Sequence, residues 1–171
     1  MPTALHMAAG DPVNSAALEA AVKRSRKLLN KRALVAAAAS AVPVPGFDWA
    51  VDAALLSKLI PEINKEFGLT PAQLDRLDPK KRDQVQKAVT MVGSVLIGKF
   101  ISRDLVLKAA TKLGMRLTTK QLAKYVPFAG QIVAATVGYA AIRYLGEEHM
   151  KDCIRVAKQA HLEVPLLGYS A

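Results

Sequence analysis

The sequence predicts an all-α fold, a compact bundle of about six to seven helices that ends in a long C-terminal helix. Three observations lead there. Apolar residues recur at three- and four-residue steps over long stretches, and proline, glycine and capping residues fall between those stretches. No segment carries four clean period-two alternations, so essentially no strand is expected. A chain of 171 residues supports one well-developed core, which divides it into a tail over 1–13, a single helical domain over 14–163 and a tail over 164–171.

The elements follow in order. Pro2, Gly10 and Pro12 interrupt a stretch with little periodicity, as in a loose tail. Asn14 or Ser15 can cap a helix from Ala16 to about Ala41, because their side-chain oxygens accept from the free N–H groups of a first turn. Leu18, Val22, Leu29, Ala33 and Ala36 give it periodicity. Pro43, Pro45 and Gly46 forbid continuation, and Asp48 is placed to cap a second helix from Trp49 to about Phe67. Val51, Leu55, Leu59, Ile63 and Phe67 form its stripe; Pro61 should bend or split it, and Gly68 should stop it.

Thr70-Pro71 starts a short helix through about Leu77, and Asp78-Pro79 repeats the device for a helix to about Ile101. Ser102 can cap a helix from Arg103 to Leu113, which Gly114 ends, and Thr118 or Thr119 can cap another to Tyr125. Pro127 opens the last helix, Phe128 to about Leu162, with Gly146 as a point of loosening.

Composition narrows the partners. Hydrophobic residues make up 51% of the chain while the formal net charge is +10, and the mean hydropathy is +0.17. An apolar, basic protein is drawn to an anionic membrane surface or to nucleic acid, or else its Lys and Arg serve only to keep it in solution. Aromatic residues are 5% of the chain and none interleaves with Arg or Lys, which argues against nucleic acid. The single cysteine, Cys153, excludes an intramolecular disulfide and a cysteine-based zinc site, and reads as a packed thiol in a reducing compartment. Met1 to Asp11 lacks the basic and apolar regions of a secretory signal, so a cytoplasmic location is expected.

The strongest charge feature is the run Lys23, Arg24, Arg26, Lys27, Lys31 and Arg32, with no acid between them. On a helix, Lys23, Lys27 and Lys31 share one side and Leu18, Val22, Leu29 and Ala33 another, which suits an anionic bilayer surface as well as a solvated face. Tyr125 to Ile142 is an uncharged stretch of eighteen residues, at the lower limit for a membrane span. Its many alanines and glycines, with Gln131 and Thr136, favour a buried helix instead. Gly130, Ala134 and Gly138 recur every fourth residue and would line a groove that another helix can enter, in a partner, a homo-oligomer or the same bundle.

No catalytic constellation emerges, and no cofactor, metal or small-molecule substrate is expected. Gly93-Ser94-Val95-Leu96-Ile97-Gly98-Lys99 matches a phosphate-binding loop through its lysine, but Phe100 stands where a magnesium-holding Ser or Thr is required. The segment before it reads as helix rather than strand. His6, His149 and His161 have no second ligand type at metal spacing, and Glu148, His149 and Asp152 read as an exposed helical cluster. Asp48 and Asp52 raise the question of paired carboxylates, for which a helix cap and an ion pair near Lys58 are simpler.

With the elements in order, a resemblance becomes visible. Pro43, Pro45, Gly46, Asp48, Asp52, Leu55-Leu56 and Ile60, closing on Phe67-Gly68-Leu69, resemble the helical domain of unknown function that follows small GTPase domains in many bacterial proteins. The segment Val126-Pro127-Phe128-Ala129-Gly130-Gln131, running into Ala134 to Tyr144, matches its second hallmark. A more distant similarity links both to the helical part of the interferon-inducible immunity-related GTPases. The resemblance covers about residues 33–160. It implies a compact helical domain, often described as a membrane protein, here standing without a usable phosphate loop. It supplies no catalytic residues, so Pro43, Pro45, Gly46, Asp48, Asp52, Pro127 and Gly130 enter as structural or docking positions.

The expected function is a non-catalytic module on an anionic membrane surface, peripheral to or inserted in an inner membrane. A protein-interaction or homo-oligomerising domain and a membrane-permeabilising, toxin-like protein are the other readings.

Overall fold

Every regular element is helical among the residues described in this computed structural model, namely 12–40, 47–99, 105, 108 and 129–166. The helices predicted from Arg103 to Leu113 and from Thr118 or Thr119 to Tyr125 lie outside the described residues, apart from Leu105 and Lys108, which are helical. Pro43, Pro45, Gly46 and Pro127 lie outside them too.

Helix α1 spans Pro12–Ser40. Proline at a first helical position costs nothing, since that N–H has no acceptor there, and the helix opens ahead of both predicted caps. Asn14 does other work. Its Nδ2 donates to the Leu162 carbonyl across 3.2 Å and its Oδ1 accepts from the Val164 N–H across 3.1 Å, which ties the C-terminal segment to the start of α1. Val164 is buried as a result. The buried line of α1 is Ala17, Ala21, Ser25, Leu29, Ala33 and Ala36, while the larger Leu18 and Val22 stand half-exposed beside it. Small residues take the inward line because a second helix approaches closely there.

Helix α2 spans Phe47–Glu66. It opens one residue ahead of Asp48, which stands inside the first turn rather than at the cap. The predicted split at Pro61 does not occur. An internal proline costs about 3 kcal/mol, but Leu56, Leu59, Ile60, Ile63 and Phe67 are all buried on both sides of it, each worth roughly 1.5–3 kcal/mol. The helix ends as the sequence predicts, at Gly68 with φ 74°. The Leu69 N–H reaches back to the Asn64 carbonyl (2.8 Å) and the Gly68 N–H to that of Lys65 (3.2 Å), the paired bonds of a Schellman stop.

Helix α3, Pro71–Leu74, carries a reciprocal capping box between Thr70 and Gln73 and is shorter than predicted. Helix α4, Pro79–Val92, is capped by Asp78, whose Oδ1 accepts from the Lys81 N–H across 3.0 Å. The predicted continuation to Ile101 is corrected by Gly93, which adopts φ 72° and ends the helix. Residues 93–99 then form turns that send Leu96 and Ile97 inward.

Helix α5, Ala129–Gln159, packs against α1, α2 and α4. It runs continuously through Gly146, where the sequence suggested loosening, and lies antiparallel to α1, with Asn14 near Leu162 and Leu29 against Gly146. A Cβ on Gly146 would collide with Cδ1 of Leu29 and stand 3.2 Å from its Cδ2. Gly146 is thus the close-approach point of the two longest helices. At the far end, Lys81 Nζ donates to the carbonyls of Ala160 and His161 (3.2 Å each), a cation placed on the negative end of α5.

Candidate functional site

The fold sorts the basic run of α1 into two sets. Arg24 turns towards α2 and pairs with Glu66 at 2.5 Å, and Arg32 pairs with Glu62 of the same helix at 3.1 Å. Arg26 lies 3.8 Å from Glu147 of α5 and keeps most of its surface in solvent. Lys23, Lys27 and Lys31 are exposed, and no acid among the described residues pairs with them. Successive four-residue steps put these lysines on one side of the helix, and Leu34, 64% exposed, continues that side three residues beyond Lys31. Val35, also exposed, is adjacent. The free face of α1 therefore offers three cations followed by two large aliphatic side chains.

A second cluster lies in the core. The expectation of an exposed Glu148, His149 and Asp152 cluster fails at His149, which is buried. Its position belongs to the inward line Ile142, Leu145, His149, Cys153, Val156 and Ala160 of α5. His149 Nε2 lies 2.8 Å from Asn64 Oδ1, and the Cys153 Sγ lies 3.6 Å from the same oxygen and 3.5 Å from Nε2. Asn64 Nδ2 donates to the Leu96 carbonyl across 3.1 Å. Because the amide nitrogen is committed to Leu96, the Asn64 oxygen accepts from both partners, so Nε2 carries the ring proton.

Cysteine, histidine and asparagine are the parts of a thiol nucleophile with its base and orienter, but the arrangement here differs. The nitrogen facing the sulfur already holds a proton donated to asparagine, and cannot accept the thiol's. Burial pushes the Cys153 thiol well above its ordinary value and holds His149 down at about 4, so both stay neutral at neutral pH. Cys153 is a packed thiol, as its sequence context suggests. The trio joins α2, α5 and the turn after α4.

Asp48 and Asp52 are in α2, and Gly130, Ala134 and Gly138 in α5; their side chains lie outside the described set. The loop-like segment Gly93 to Lys99 follows helix α4 rather than a strand, and its first glycine serves as the helix stop. It lines an open depression with Arg82, whose guanidinium is held by Asp75 and the Leu74 carbonyl. Among the described residues no group of three His, Cys, Asp or Glu could hold a metal ion, and no helix is long and apolar enough to cross a membrane.

Asn64 is the consequential polar residue that the sequence does not single out, whereas Asn14 enters there as a helix cap and His149 as part of an exposed cluster. His149 had a legible signal, since it sits at helical spacing between Leu145 and Cys153 on an apolar line.

Comparison of the chain with protein-family models, with curated proteins and with solved structures gives no match.

Proposed function

We propose that this chain is a non-catalytic helical module that binds an anionic membrane surface from the cytoplasmic side through the free face of α1. The observation that supports this most is the sorting of the basic run: Arg24 and Arg32 are paired inside the bundle, while Lys23, Lys27 and Lys31 are left exposed in register. Each Lys or Arg near an anionic surface contributes about 1 kcal/mol, so the three lysines together give a measurable but salt-sensitive attachment. Leu34 and Val35 add apolar contact at the end of the same face. The formal charge of +10 draws the chain to such a surface. The resemblance of Pro43 to Leu69 and Val126 to Gln131 to the GTPase-associated bacterial domain points the same way.

Sedimentation of the purified protein with anionic and with neutral vesicles over a salt series tests the proposal. Binding to anionic vesicles that fades with salt is expected, and replacing Lys23, Lys27 and Lys31 by Gln should remove most of it. Absence of binding at every salt concentration sinks the reading in favour of a protein partner. Release of an entrapped dye would favour the permeabilising alternative.

A further inference from the structure

The seam between α1 and α5 holds an open depression of about 420 Å³, and its floor and rim differ in chemistry. Leu18 and Val22 from α1 and Ile154 from α5 form the floor; all three are packed on the core yet half-exposed. Lys23, Arg26 and Lys158 stand on the rim, and all three are exposed. The rim's one acid, Glu19, lies a turn before Lys23. Because the two helices run antiparallel, with Asn14 near Leu162 and Leu29 near Gly146, Lys158 lies towards the Glu19 end. Lys23 and Arg26 stand at the other end, where Glu147 lies 3.8 Å from Arg26 and is shared with Arg143, so the excess charge there is still positive.

The depression exists because α1 packs through small residues. Ala17, Ala21 and Ser25 let α5 close on the inner side, which leaves the longer Leu18, Val22 and Ile154 as a strip along the outer seam. A strip of aliphatic side chains with cations gathered at one end is complementary to a molecule with an apolar chain and an anionic head. Lys23 belongs both to this rim and to the lysine face of α1, so the depression opens beside the proposed surface contact.

We infer that the α1–α5 seam is a binding site for a single anionic phospholipid of that surface, one acyl chain lying over Leu18, Val22 and Ile154 and the phosphate between Lys23 and Arg26. This rests on α1 being the helix that faces the anionic surface, and it adds a discrete lipid site to a diffuse electrostatic attachment. The two contacts differ physically: charge attraction by exposed lysines weakens with salt, whereas burial of an acyl chain does not.

Methyl NMR of the full chain, labelled at Ile, Leu and Val, reads the site directly. Decyl phosphate below its micelle concentration serves as the probe, with decyl maltoside and inorganic phosphate as controls. Saturable shifts of the Val22 and Ile154 methyls with decyl phosphate are expected, at least about tenfold tighter than with decyl maltoside and absent with inorganic phosphate. Val22→Trp, which fills the floor from a half-exposed position, should abolish them. The pair Lys23→Glu and Arg26→Glu, which leaves the floor intact, should weaken binding about tenfold or more. Equal affinity for decyl maltoside, no saturable shift, or shifts confined to other methyls would overturn the site. So would shifts produced by an acidic amphipathic peptide but not by decyl phosphate, which would assign the seam to a protein helix. The vesicle series separates the two ideas, because vesicle binding with an unresponsive seam removes only the lipid site, and seam binding without vesicle attachment removes only the surface reading.

Discussion

His149 donates its Nε2 proton to Oδ1 of Asn64 across 2.8 Å, joining α5 to α2 over 85 residues of sequence, and both side chains are shut off from water. The same oxygen receives the Cys153 thiol, and the Asn64 amide holds the Leu96 carbonyl, so one asparagine ties two helices and a turn together. Buried polar groups satisfied by each other fix relative placement more sharply than apolar packing alone, since each misalignment leaves a donor or acceptor without a partner.

The first prediction concerns pH. Burial holds folded His149 at about 4 against the ordinary 6.5, so between those values the unfolded chain takes up a proton that the folded chain refuses. Stability should be unaffected by this group above about pH 7 and should fall, by up to about 3 kcal/mol, as pH drops from about 6.5 to about 4. His149→Gln retains a donor for Asn64 and cannot titrate. Urea unfolding of both proteins across that range should show the extra slope in the parent alone; parallel curves would refute it.

Cys153 should be inert while the protein is folded. It is fully buried and its thiol is pushed up, so little thiolate is present at neutral pH and no reagent reaches it. Labelling by a thiol reagent should proceed only as fast as the chain opens and should become rapid in denaturant. Fast stoichiometric labelling of native protein would contradict the buried trio.

The meeting of Leu29 and Gly146 yields a coupling prediction. Gly146→Ala improves helix propensity by about 1 kcal/mol but forces a methyl into Leu29, and overpacking of this kind costs about 1–3 kcal/mol. A net loss of about 1 kcal/mol is expected. Leu29→Ala should cost about 2–5 kcal/mol by leaving a cavity. In the double variant the new methyl occupies part of that cavity, so its loss should be smaller than the sum of the singles. Additive losses would show that the two helices do not meet at this point.

Asn14 should act as a clasp on the C-terminal segment. Asn14→Ala removes both hydrogen bonds to residues 162 and 164 and should cost about 1–2 kcal/mol. Amide exchange at Val164 should accelerate by at least about tenfold while exchange in the middle of α5 changes little. Unchanged protection at Val164 would show that the clasp carries no weight.

The two sets of basic residues should separate by assay. Arg24→Gln leaves partly buried Glu66 without its cation and should lower stability by about 1 kcal/mol. The triple change of Lys23, Lys27 and Lys31 to Gln should leave the unfolding midpoint within error, because these side chains are exposed and pair with no acid among the described residues. Equal midpoints for Arg24→Gln and parent would show that the sorting has no energetic basis.

Local chemistry was sufficient for much of this architecture. Helical periodicity, the Thr70 and Asp78 caps with their following prolines, and the Gly68 stop each act within a few residues, so the chain states them directly, and the structure has them in place. The basic run and its lysine face were legible for the same reason. What the sequence could not state is which competing local option wins once distant segments meet. Pro61 stays inside a continuous helix because apolar burial on both sides outweighs one lost hydrogen bond. Gly93 ends α4 where apolar residues invited it onward, because Leu96 is received by Asn64 and packs on Ile60. Asn14 leaves capping for a partner 148 residues away. Arg24 and Lys23, adjacent in the chain and alike in charge, part company because only the former faces an acid on α2. Residue types and their spacing set the elements; the tertiary structure decided which polar groups would be buried, since burial depends on what the rest of the chain brings to each face.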